Sequence, residues 1–167
     1  RQTRINSYVL PGSNITGDAS KDVGSIESIV VWPLFNIAVG SKAKGVELIL
    51  TDYLVDRLYL ENSFKSVYIL NEAEAKDLIA RAGEELGLKK KPKEPTQTGL
   101  VTTKIGQLTN SDAILIGRID DYDEVKVDKI TYTAVGLSFF LFDARETAYP
   151  TLDSFTPARS LWRTNSI

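Results

Sequence analysis

Residues 28–35 read Ser-Ile-Val-Val-Trp-Pro-Leu-Phe, a nearly continuous apolar run. A strand with one face in water alternates apolar and polar residues, so an unbroken run suits a strand buried inside a sheet. Pro33 has no N–H to donate to a neighbouring strand and is expected near the strand end or at a bulge. A second run, Ala113-Ile114-Leu115-Ile116, centres another buried strand over residues 112–119. Strands of this kind need cover, and the chain supplies helical patterns between them.

Val46, Ile49, Leu50, Tyr53, Leu54 and Leu58 recur at spacings of three and four, which predicts a helix over about 45–60. Leu48 and Val55 lie off that stripe, so this helix is expected to be covered on more than one side. A short strand follows over 64–70, with Val67 and Ile69 alternating against Ser66 and Tyr68. Asn71 then offers a helix cap, Glu74 the other half of a capping box, and Gly87 a left-handed stop. Ala75, Leu78, Ile79, Ala82 and Leu86 form the stripe between them. A shorter helix over 100–109 would bury Val101, Ile105 and Leu108.

After an acidic stretch, 120–128, a long strand over 130–142 carries apolar groups on both faces and is expected to be central. Residues 147–157 read as a turn-rich connector and 160–167 as a closing strand. The fold class is therefore α/β (α+β), a mixed β-sheet with helices packed on it, in the order β-α-β-α-α-β-β-β. Residues 1–24 are expected to be an extended lead-in and 25–167 a single domain. The two early strands are expected to form a crossover unit around the first helix.

Composition narrows the chemistry. The chain has 167 residues, no cysteine and no histidine. Without cysteine there is no disulfide framework, thiolate nucleophile or zinc–sulfur site. Without histidine the commonest general base and transition-metal ligand are missing, and Ser–His–Asp chemistry is excluded. Carboxylate, lysine, tyrosine, serine–lysine and hard-cation oxygen chemistry stay open. The net charge of −2 argues against a general polyanion binder, and nucleic acid is not an expected partner. No run of 18 apolar residues occurs, so the chain carries no helical membrane span.

Four stretches merit comparison with known chemistry. Gly40-Ser41-Lys42-Ala43-Lys44-Gly45 lies between a strand and a helix, where a phosphate loop would lie. A nucleotide-binding loop requires Lys then Ser or Thr after the second glycine, and Val46 and Glu47 stand there instead. A basic turn is the simpler reading, with a nucleotide- or phosphate-binding domain as the alternative function. The run Asp120, Asp121, Asp123, Glu124 and Asp128 offers oxygen ligands but lacks the glycine and terminal glutamate of a calcium loop. It reads as a solvated strand end or hairpin, and no metal or other cofactor is expected. Lys89, Lys90, Lys91 and Lys93 could meet an acidic partner and are the candidate partner-binding residues; a solubilising loop is the plainer account. Asn14-Ile15-Thr16 matches a glycosylation sequon, and Trp32 and Trp162 are expected in the core.

Three ordered stretches carry a resemblance. They are Ile29-Val30-Val31-Trp32-Pro33-Leu34-Phe35 with the helix ending Leu54-Val55-Asp56-Arg57-Leu58; Val67-Tyr68-Ile69-Leu70-Asn71-Glu72-Ala73-Glu74-Ala75; and Asp112-Ala113-Ile114-Leu115-Ile116-Gly117-Arg118-Ile119-Asp120-Asp121-Tyr122, running on to Leu161-Trp162. Over about residues 28–163 this order resembles the CsgG-like family of curli-assembly lipoproteins and its LpoB-type relatives, activators of penicillin-binding proteins.

The resemblance implies a noncatalytic envelope lipoprotein domain, periplasmic and tethered to the outer membrane. It would act through other envelope proteins or self-association in the assembly or regulation of an envelope or secretion machine. The tether cysteine would lie before Arg1. Pore-forming members carry long membrane hairpins, whereas here only residues 123–129 are expected between the third and fourth strands. A spanning strand needs about nine to eleven residues, so an accessory domain is expected rather than a pore.

Overall fold

In the computed structural model, residues 15–16, 26–38, 44–60, 64–145 and 160–166 are described. Seven strands form one mixed sheet, with three helices packed on it. The strands are β1 (Ile15–Thr16), β2 (Ser28–Val31), β3 (Phe35–Asn36), β4 (Ser66–Ile69), β5 (Ala113–Val127), β6 (Ile130–Asp143) and β7 (Ser160–Ser166). The helices are α1 (Val46–Leu60), α2 (Glu72–Glu85) and α3 (Gly99–Thr109). Across the sheet the order is β1-β7-β6-β5-β2-β4, with β3 also paired to β5.

The apolar run at 28–35 is split at the proline. β2 pairs in parallel with β4 on one side and β5 on the other. Residues 32–34 then interrupt the ladder, and β3 resumes beside β5 at Arg118 and Ile119. Pro33 sits in the interruption because it cannot donate to a ladder. The parallel pairing of β2 and β4 around α1 is the expected crossover arrangement.

Alternation along β2 divides the core between two faces. Val30 and Trp32 lie with Leu70, Ala75, Leu78, Ala82, Val101, Ile105, Ile114 and Ile116, under α2 and α3. Ile29 and Val31 lie with Ala113, Leu115 and Leu141, with Leu54 and Leu58 of α1 packed against them. Burying an isoleucine or leucine fully contributes about 1.5–3 kcal/mol, so these two clusters hold the sheet between its helical layers.

α2 is set by its own sequence. The Asn71 side chain accepts from the Glu74 N–H at 2.9 Å, and the Glu74 carboxylate accepts from the Asn71 N–H at 3.0 Å. Gly87, at φ 63°, takes the left-handed conformation beyond the last turn. α1 departs from expectation. Ile49, placed on its buried stripe, is 65% exposed, and Leu48 is 71% exposed. Only the later part of α1, through Leu54 and Leu58, reaches the sheet.

The largest correction concerns the acidic stretch. Residues 120–127 are not a connector between two strands but the second half of β5, and only Asp128 and Lys129 form the turn to β6. Asp128 adopts φ 57°, a left-handed conformation that aspartate tolerates better than most side chains. Asp120 is the extra residue at a β-bulge between the pairs Ile119↔Leu137 and Asp121↔Gly136.

Candidate interaction surface

β5 and β6 together form a hairpin with two different halves. Up to Ile119, β5 has β2 or β3 on its outer side; from Leu137 onward, β6 has β7. Beyond those points, residues 121–127 and 130–136 pair only with each other among the described residues. At seven residues per strand this ribbon extends roughly 23 Å past the sheet. The free part falls short of the nine to eleven residues per strand of a membrane barrel. The seven-residue connector on which the expectation against a pore rested is therefore not there: residues 123–127 are paired strand.

The ribbon's two faces differ. Cross-strand pairing puts Tyr122, Glu124 and Lys126 on one face with Thr131, Thr133 and Val135. The other face carries Asp121, Asp123 and Val127 with Gly136, Ala134, Tyr132 and Ile130. That second face continues the side of the sheet covered by α2 and α3, because Ile114, Ile116 and Arg118 pair with Phe142, Phe140 and Ser138. Val127, Ile130 and Tyr132 are each at least half exposed on it.

At the root of the ribbon a polar cluster closes the core. Asp120 accepts hydrogen bonds from the Arg118 guanidinium and the Ser138 hydroxyl, and Arg118 lies 5.8 Å above the Phe140 ring. Phe140 stacks on Phe142 with centroids 6.2 Å apart. The bulge turns Asp120 back to the side of Arg118, so its carboxylate is used within the chain. The acidic run is thereby divided: Asp121 and Asp123 lie on one face, Glu124 on the other and Asp128 in the turn. Among the described residues no cluster of carboxylates is arranged to hold a metal ion.

The candidate phosphate turn is described only at Lys44 and Gly45; residues 40–43 lie outside the described residues. Gly45 has φ 79° and leads into α1. The Glu47 carboxylate is held below its ordinary pKa by its own backbone N–H, by Asn36 and by the Gly45 N–H. Asn36 donates to it at 3.0 Å. A side-chain carboxylate therefore stands at this helix start, where a phosphate would meet its negative charge.

Lys89, Lys90, Lys91 and Lys93 are exposed, as expected of a solvated loop, but the loop itself is anchored. Pro92 and Pro95 are buried. Pro92 packs so closely on Gly83 that a Cβ there would lie 2.7 Å from its Cδ. The Thr102 hydroxyl donates to the Pro95 carbonyl at 2.9 Å, and the Lys93 N–H donates to the Gln97 side chain at 3.0 Å. The lysines are thus displayed on a fixed turn and do not join the hairpin cluster. Sequence reasoning missed that the buried prolines fix this loop.

A cavity of about 290 Å³ opens between Tyr68, Leu70, Leu78, Arg81 and Leu108, with Glu74 and Asp77 at its rim. Its carboxylates are engaged by neighbours, Glu74 by the Tyr68 hydroxyl and Asp77 by Arg81. Trp32 is buried in the core as expected, whereas the side chain of Trp162 and residues 147–157 lie outside the described residues, as does Asn14 of the sequon.

No family model matches the chain, and no curated protein matches it in sequence. Solved structures with a similar arrangement include lipoprotein GNA1162 from Neisseria meningitidis, at 16% identity and a TM-score of 0.49, covering 84% of this chain and 80% of that one. A PelC dodecamer from Paraburkholderia phytofirmans is similar at 13% identity and a TM-score of 0.48, covering 93% and 79%. The LpoB C-terminal domain from Escherichia coli is similar at 15% identity and a TM-score of 0.40, covering 84% and 82%. At these values the likeness does not by itself place the chain in a family.

Proposed function

We propose that this chain is a noncatalytic bacterial cell-envelope lipoprotein domain that works by contact with other envelope proteins, in the assembly or regulation of an envelope or secretion machine. The observation that carries the reading is the free ribbon, residues 121–127 and 130–136, which presents apolar side chains to solvent beyond a helix-covered base. Exposed apolar residues grouped on one face mark contact surfaces more often than chance scatter does. The ordered resemblance to CsgG-like lipoproteins supports the compartment, periplasmic and tethered to the outer membrane. Lys89, Lys90, Lys91 and Lys93 form a second proposed contact, suited to an acidic partner.

The test is site-specific photocrosslinking in envelope extracts of the source organism. A crosslinker at Ala134 or Lys129 is expected to trap an envelope protein, and one at Lys76 on α2 is expected to trap none. Crosslinks confined to cytoplasmic proteins, or equal at all three positions, would remove the reading.

A further inference from the structure

We infer that the α2/α3-side face of the free ribbon is a docking shelf for a basic segment of another protein, one carrying apolar side chains flanked by lysine or arginine. The inference rests on the reading of the chain as an interaction domain and names the chemistry of its partner.

The shelf begins where the helical layer stops. On this side of the sheet α2 and α3 cover Ile114 and Ile116, and among the described residues no helix covers the face beyond Arg118. Phe35 pairs in register with Arg118, which places Phe35 and, two residues on, Ile37 at the same side of the sheet. They are 41% and 56% exposed. Farther out on this face stand Tyr132, Val127 and Ile130. Five large apolar side chains thus line one side of an extension that nothing in the described chain covers.

Charge specifies the occupant. The same face carries Asp120, Asp121 and Asp123 against Arg118, while Asp128 and Lys129 offset each other in the turn. Arg118 is paired with Asp120, so the net field over the shelf comes from Asp121 and Asp123. Among the described residues these two carboxylates accept from neighbouring backbone N–H groups, Asp121 from Tyr122 and Asp123 from Glu124. Lys126 projects from the opposite face with Glu124. An apolar strip interrupted by two aspartates suits a segment that alternates apolar contact with cationic side chains, and it opposes an acidic one.

The experiment uses the whole chain and a fluorescent 18-residue probe peptide with leucine on one helical face and lysine on the other. Two controls accompany it: a scrambled sequence of the same composition, and a version with glutamate in place of lysine. Anisotropy is expected to show saturable binding of the basic amphipathic peptide only. The double variant Asp121→Asn, Asp123→Asn is expected to weaken it at least tenfold, as is Ile130→Thr with Tyr132→Thr. Lys76→Gln, on the exposed side of α2, should leave it unchanged. Circular dichroism of each variant checks that the sheet is intact.

Equal binding of the scrambled or acidic peptide, or no loss in either ribbon variant, overturns the inference. So does concentration-dependent dimerisation in sedimentation that Ile130→Thr abolishes, since the occupant would then be a second copy. Envelope crosslinks at Ala134 with no peptide binding would overturn the shelf chemistry and leave the interaction-domain reading standing. Absence of both would overturn both.

Discussion

The two halves of the β5–β6 hairpin are made by one continuous pair of strands yet live in different solvents. In the inner half, Ile114, Leu115, Gly117, Ile119 and Leu141 are buried, with further strands on both outer edges and helices on both faces. In the outer half nearly every residue from 121 to 134 is exposed, and among the described residues each strand has only the other as its neighbour. The β5–β6 ladder runs through both halves, and what separates them is burial together with the outer-edge ladders that, among the described residues, only the inner half has. Stability should therefore concentrate in the inner half, and substitutions in the outer half should be read in binding rather than in unfolding.

Truncating the inner half tests this most severely. Ile114→Ala removes a fully buried side chain between β2 and β6, and urea unfolding should show a loss of about 2–5 kcal/mol. An equal loss from Tyr132→Ala in the outer half would erase the contrast. Gly117→Ala should cost somewhat less, about 1–3 kcal/mol. A Cβ at Gly117 would press on Leu34 and on the Phe139 ring 2.8 Å away, so neighbours must shift. A neutral result would mean the inner half packs more loosely than its burial implies.

Asp112 extends the comparison to pH. Its carboxylate accepts the Glu27 N–H at 2.8 Å and the Ser28 N–H at 3.1 Å, tying the start of β2 to the start of β5. The Glu27 N–H is the main cause of its lowered pKa, with Ser28 and Arg145 adding to the effect against partial burial. A lowered folded pKa means the stabilisation is present above the unfolded value of about 3.9 and fades as pH falls through the folded value. Asp112→Ala should cost about 1–2 kcal/mol near neutrality and flatten the acid limb of a stability profile. An unchanged acid limb would assign that dependence to other carboxylates, Glu47 among them, whose pKa is also lowered.

The smallest expected effect lies at the ribbon tip. Ile130→Thr should change unfolding free energy by no more than about 0.5 kcal/mol, because the side chain is 58% exposed. If it melts the protein substantially, the outer half is packed against something and the comparison fails.

Much of the inner half was legible in the sequence. Unbroken apolar runs at 29–31 and 113–116 announced strands buried on both faces, and the Asn71–Glu74 box with Gly87 fixed α2 through bonds between near neighbours. The outer half was not legible as strand. Its stretch Asp120-Asp121-Tyr122-Asp123-Glu124 has the composition of a loop, and aspartate is depleted in strands. It extends because residues 130–136 offer a ladder to pair with, an interaction between partners that no local pattern reports. The candidate surface was hidden for the same reason: the bulge at Asp120 decides that Asp121, Asp123 and Val127 face the same side as Tyr132 and Ile130, and without it they would turn to the other face.

By itself, then, the sequence determined the class of fold, the start and stop of α2, and the exclusion of histidine and cysteine chemistry. Those depend on residue identity or on contacts a few positions apart. Only the tertiary structure decided that the acidic run is a strand, that Glu47 fills the start of α1, that prolines pin the lysine loop, and that five apolar side chains share one open face. Each depends on where the chain returns in space, set by packing of distant segments against one another.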